Sequence, residues 1–185
     1  MKSQTIVTVV VLLLLVGATF GILYIAGSGL VPTVAGGLVE APVQSSELTD
    51  NRAPYFDIPN MSGDHVKLSD FTGPLVLVFW STWNTQAADQ MKILDDYLAE
   101  ESSQHVVDVL AVDSQEEPSI VASFIRRGGY QVPVILDTFG SVSGQYSIKA
   151  LPTFVFIDKT GTVREVYAGI LSSKDIGDKV ENILK

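Results

Sequence analysis

The rhythm of apolar and polar positions changes along this chain, and each change predicts an element. Ile6 to Ile25 carries no charge and is dominated by Val, Leu and Ile. A helix of that length rises about 30 Å, the thickness of a bilayer core. From Gly27 to Arg52 the sequence runs through Gly, Pro, Ser, Val and Ala without a period, which predicts a flexible tether. Tyr55 to Pro59 and His65 to Leu68 flank the turn Asn60-Met61-Ser62-Gly63-Asp64 and read as a hairpin. Leu75 to Trp80 is a short continuous apolar run, as expected of a strand buried on both faces. Ala87, Met91, Leu94 and Leu98 then recur at helical spacing with Asp89, Lys92, Asp95 and Asp96 between them.

Strand and helix patterns go on alternating. Val106 to Val112 is a second apolar strand, parallel to the first because a helix intervenes. Pro118 opens a helix whose buried stripe is Val121, Phe124 and Ile125, and Gly128-Gly129 stops it. Val132 to Leu136 predicts a short strand, Ser143 to Ser147 a brief helix, Ala150 to Asp158 a strand with Pro152 at its mouth, and Thr162 to Tyr167 an alternating strand. The last helix carries Ile176, Val180, Ile183 and Leu184 on one face, with Ser172 and Asp175 spaced as a capping box. The expected fold class is α/β, a mixed sheet with helices on both faces. The expected organisation is a membrane anchor over residues 1–26, a linker over 27–52 and a folded domain over 53–185.

Topology follows from the first segment. Lys2 is the only charge before Glu40, so the N-terminus is expected in the cytoplasm and the domain outside. Ala26-Gly27-Ser28 resembles a signal-peptide cleavage site, but the apolar core exceeds a secretory h-region and favours a retained anchor. Either route delivers the domain to the extracytoplasmic side. The linker would hold it within roughly 25 to 30 Å of the membrane. Gly17 and Gly21 form a G-x-x-x-G pair that would let another helix approach.

Composition removes several chemistries. Among 185 residues there is no cysteine, which excludes thiolate catalysis, disulfides and sulfur-ligated metal sites. A formal net charge of -9 without a Lys/Arg cluster argues against nucleic acid as a ligand. His65 and His105 are the only histidines and fall in separate elements, so neither a metal nor a cofactor is expected.

The chain resembles the membrane-anchored TlpA/ResA-type branch of the thioredoxin-like redoxins. The resemblance rests on the hairpin around Gly63, on Leu68-Ser69-Asp70-Phe71-Thr72-Gly73, on Phe79-Trp80-Ser81-Thr82-Trp83-Asn84 and on Leu151-Pro152-Thr153-Phe154-Val155-Phe156-Ile157-Asp158, so it spans the whole folded domain. It implies a thioredoxin-like fold with a cis peptide bond before Pro152. It also implies a W-C-x-x-C turn over Asn84, Thr85, Gln86 and Ala87, in which Asn84 replaces the nucleophilic cysteine and Ala87 the resolving one. Asn84 is expected to cap the following helix, because its amide cannot act as a nucleophile. Thr85 has no base placed beside it. Glu116 matches a glutamate that such proteins place near their cysteines, and without a thiol it is expected to serve the next helix dipole.

What remains is a candidate binding surface made of Trp83, Asn84, Thr85, Gln86, Leu151 and Pro152. The expected function is a redox-inactive, membrane-tethered, protein-binding accessory or assembly factor of a membrane complex, with cytochrome c maturation as the setting the resemblance implies. Two alternatives stay open: an enzyme that uses a partner's cysteines, and a structural subunit held by its membrane helix.

Overall fold

The structure, a computed structural model, describes residues 47–101 and 106–185. The expected anchor with Gly17 and Gly21, the linker up to residue 46, and His105 lie outside the described residues. Within them, no helix is long and apolar enough to cross a membrane.

Among the described residues, seven strands, four α-helices and a 3-10 turn over Leu68–Asp70 follow in the predicted order. They are β1 (Asp57–Pro59), β2 (His65–Lys67), β3 (Leu75–Trp80), α1 (Ala87–Glu101), β4 (Asp108–Ser114), α2 (Pro118–Gly128), β5 (Val134–Asp137), α3 (Ser141–Gln145), β6 (Thr153–Ile157), β7 (Val163–Ala168) and α4 (Ser173–Ile183). Five strands form one mixed sheet in the order β5-β4-β3-β6-β7. β3 runs parallel to β4 and β4 to β5, while β6 is antiparallel to both β3 and β7. The hairpin of β1 and β2 lies apart from this sheet, and an Asn60 to Ile135 bridge ties it to β5.

β3 is central, and all six of its residues are buried. Strand side chains alternate between faces, so the run feeds two cores. Val76, Val78 and Trp80 meet Met91 and Leu94 of α1, Val121 of α2, and Ile176 and Val180 of α4. Leu75, Leu77 and Phe79 meet Val142 of α3 and Tyr146 at its C-cap, with the hairpin's Ile58 and Val66 packed alongside. Helices do lie on both faces, but unequally. Three cover one face, while the short α3 shares the other with the hairpin, because β1 and β2 carry the apolar residues that close that side.

Polar groups fix the ends of these elements. Buried Gln90 receives the Leu171 N–H at 3.0 Å and donates to the Leu171 carbonyl at 3.3 Å, so both ends of its amide are satisfied. Asp95 receives the backbone N–H groups of Gln131 and Val132. Gly129 ends α2 in the left-handed conformation, with its N–H on the Ile125 carbonyl. Ser172 and Asp175 form the expected capping box on α4.

The domain's contacts reach back to Glu47, ahead of the expected start at Ala53. The Val163 N–H and carbonyl at the β7 edge pair with the Asn51 carbonyl and the Asp50 N–H. Arg164 bridges Asp158 and Asp50 at 2.7 and 2.9 Å. An otherwise open strand edge thereby gains partners.

Candidate functional site

β3 ends in the turn from Ser81 to Gln86, which leads directly into α1. The Leu151-Pro152 peptide bond is cis, as expected. It brings the Leu151 carbonyl against the turn, where the Asn84 Nδ2 amide donates to it at 2.6 Å. The other end of the same amide, Oδ1, accepts the Gln86 N–H at 2.8 Å. Asn84 therefore orders the approach to α1 as a capping residue does, and it also joins two loops 67 residues apart in sequence. The pattern supplied the first role and missed the second.

The remaining site residues divide by exposure. Trp83, Thr85 and Gln86 are exposed, Leu151 is half-buried, and Ala87 and Pro152 are buried. Pro152 thus shapes the loop without presenting a side chain; its carbonyl accepts the Gly169 N–H at 2.8 Å. Trp80 is in the core, its ring centroid 5.4 Å from that of Phe124 with the two rings tilted at 44°.

Glu116 departs from the expected role. Its carboxylate turns away from α2 and accepts Ser81 Oγ at 2.7 Å, the Thr82 N–H at 2.5 Å and Thr82 Oγ1 at 2.6 Å. Glu117 stands at the N-cap of α2 without a side-chain cap bond, and Pro118 needs no cap for a missing N–H. Burial opposes the charge on Glu116, but the hydrogen bonds from Thr82 and Ser81 outweigh it and hold its carboxyl below the usual range. A carboxylate so stabilised is a weak base, so the two hydroxyls are held in place and not activated.

Beside it lies Asp113, which the sequence reading passed over. Its signal was present: Val109, Ala111 and Asp113 alternate onto one face of β4, and all three are buried. Asp113 stands opposite Trp80 in the β3–β4 register. As a carboxylate it finds no hydrogen-bond donor among the described residues, and the Trp80 indole N–H likewise finds no acceptor. Burial, then the neighbouring Glu116 carboxylate, pushes Asp113 up to about 8, which favours its protonated, neutral form at pH 7. Among the described residues, no group of three His, Asp or Glu side chains is placed to hold a metal ion.

The site is therefore a braced turn. One carboxylate grips its beginning, one amide ties its middle to the cis-proline loop, and Trp83 projects from it. It presents one exposed aromatic side chain, and the hydroxyls of Ser81 and Thr82 are held by a weakly basic carboxylate.

Comparison with known proteins agrees with this scaffold. The AhpC/TSA family profile matches residues 49–166. The thiol-disulfide oxidoreductase ResA of Geobacillus kaustophilus is 31% identical over 132 residues, covering 71% of this chain and 75% of that protein. ResA of Bacillus subtilis is 30% identical over 166 residues, covering 89% of this chain and 90% of its own. Among solved structures, a putative thiol:disulfide interchange protein DsbE from Chlorobium tepidum superposes with a TM-score of 0.67 at 24% identity, over 74% of this chain and 98% of that one. An exposed lipoprotein thioredoxin from Streptococcus pneumoniae gives 0.62 at 24% identity, over 70% and 99%. The fold is thus thioredoxin-like, and the chain belongs to the AhpC/TSA family as a homologue of the ResA-type thiol-disulfide oxidoreductases in which both positions of the cysteine pair have been replaced.

Proposed function

We propose that this chain is a redox-inactive, membrane-tethered, extracytoplasmic member of its family that binds protein, as an accessory or assembly factor of a membrane complex. The observation that carries the reading is the engagement of Asn84. At the position of the family's nucleophile, an amide is committed to the Leu151 carbonyl and the Gln86 N–H, while Trp83 beside it stays exposed. A surface that keeps its shape and its aromatic anchor without a reactive group suits recognition. Assembly of c-type cytochromes is the setting we propose for it.

The test has two arms. Purified full chain should reduce insulin disulfides no faster than background under anaerobic conditions. Solubilised from membranes in mild detergent, it should carry a stoichiometric protein partner, and alkaline carbonate should leave it in the membrane fraction. Protein-dependent disulfide turnover would refute the reading, as would isolation of the chain alone from intact complexes.

A further inference from the structure

A cavity of about 420 Å³ opens at the end of the domain opposite the Ser81 to Gln86 turn. Leu75, where the chain enters β3, and Ile157, where it leaves β6, both line it. A six-residue strand is about 20 Å long, so the length of β3 separates this cavity from the turn.

Three charged residues line the cavity, and their charges do not cancel. Asp158 is buried, and its carboxylate receives Arg164 Nε at 2.7 Å and the Thr160 and Thr162 N–H groups at 2.8 and 3.1 Å. Burial opposes its charge, but hydrogen bonds from Thr160, Thr162 and Arg164 hold the carboxyl down at about 2. It therefore frames the Lys159-Thr160-Gly161 turn as an ion already paired. Arg52 and Lys159 are exposed and have no ion pair among the described residues. A Cβ on Gly161 would stand 3.6 Å from Arg52 Nη2, so the guanidinium lies over the same turn that carries Lys159. Two unneutralised cations thus share one concavity in a chain of formal net charge -9. Ser69 and Tyr55 add hydroxyls that make no hydrogen bond among the described residues, and Tyr55 is 55% exposed. A guanidinium, an ammonium and free hydroxyls are donors that suit phosphate oxygens. An exposed tyrosine suits the boundary between headgroups and acyl chains.

Position in the chain selects the source of the phosphate. The described residues begin at Glu47 and join the domain at this end, where Asp50 and Asn51 pair with Val163 and Arg52 bridges Thr162. The uncharged run from Ile6 to Ile25 lies upstream of them in sequence.

We infer that this cavity binds the headgroup of an anionic phospholipid. Arg52 and Lys159 pair with the phosphate, Ser69 donates to one of its oxygens, and Tyr55 lies along the glycerol and the first acyl methylenes. A domain so docked turns its other end, with Trp83, away from the bilayer, so that orientation is fixed as well as distance. The inference rests on the membrane-tethered reading above and adds which face meets the lipid.

Isotope-labelled full chain in a nonionic detergent is titrated with dihexanoylphosphatidylglycerol, with dihexanoylphosphatidylcholine and with glycerol phosphate, and followed by NMR. The expected result is a set of saturable shifts at Arg52, Tyr55, Ser69 and Lys159. The anionic lipid should bind about tenfold more tightly than the choline lipid, as two half-exposed ion pairs imply. Arg52→Gln and Lys159→Gln should each weaken that binding about threefold with core signals unchanged, and together they should abolish the preference. In phosphatidylglycerol nanodiscs with spin-labelled headgroups, the amides of Gly73 and Lys159 should broaden and the Trp83 indole should not. Equal affinity for the two lipids, glycerol phosphate bound as tightly as the anionic lipid, or broadening centred on Trp83 would each overturn the inference. Release of the chain by alkaline carbonate would refute the tethered reading separately, and the titration would still decide the cavity.

Discussion

Replacing Asp113 with asparagine should remove a pH dependence that the wild-type fold carries. The folded chain holds a proton on Asp113 up to about pH 8, whereas the unfolded chain releases it near 3.8. A carboxyl raised on folding makes the native state bind more protons than the unfolded state. Stability from this group is therefore fully present below about pH 4 and falls as the pH rises towards 8. One proton corresponds to about 1.4 kcal/mol per pH unit, so between pH 5 and pH 7 the loss is roughly 3 kcal/mol. Glu116 does not confuse the window, because its carboxyl is lowered and ionised in both states above pH 5. Asparagine is close in shape and, like the protonated acid, carries no charge. Urea denaturation of wild type and Asp113→Asn at pH 5, 6 and 7 should give curves that diverge by roughly that amount, the variant being the more stable at pH 7. Parallel profiles would show that Asp113 is ionised in the fold and that the account of the Asp113 and Glu116 pair is wrong.

Three further predictions concern the turn. Glu116→Gln replaces a charged acceptor of three donors and should lower stability by roughly 2 kcal/mol in the same denaturation assay, with slower-relaxing amide signals at Ser81 and Thr82 vanishing as the turn loosens. Asn84→Ala removes the bond to the Leu151 carbonyl and the bond from Gln86, and should cost about 1 to 2 kcal/mol; a change below the error of the measurement would make the junction incidental. Installing Asn84→Cys together with Ala87→Cys should be tolerated, and the thiol at position 84 should titrate below the free value of about 8.5 because it precedes α1; an ordinary value in an iodoacetamide pH profile would count against the placement.

The framework was legible because it is written locally. The unbroken run from Leu75 to Trp80 could only be a strand with both faces covered, and the spacing of Ala87, Met91 and Leu94 set the buried face of α1. The cis bond before Pro152 and the capping box at Ser172 were equally readable, since each depends on a few adjacent residues. The braces of the site were not. Glu116 reaches back 34 and 35 residues to Thr82 and Ser81, and Asn84 reaches forward 67 to Leu151. Such pairings are decided by tertiary proximity, so local preference assigned both residues to helix ends. Asp113 was missed for a different reason: its position in the alternation was visible, but an acid at the end of a strand reads as solvated until its burial is known.

The turn from Ser81 to Gln86 has one last consequence. A pair of cysteines gives such a turn two covalent states, and a redox enzyme uses the change between them to take hold of a substrate and let it go. With Asn84 fixed to Leu151 and Ala87 buried in the core, this turn has a single covalent state. No electron transfer to or from the domain itself can alter its grip. Occupancy at this surface is then set by concentration, competing ligands and local charge, and exchange proceeds at the spontaneous dissociation rate of the complex. In the protein-binding role proposed above, the domain behaves as a reusable mould, whose release step belongs to the partner.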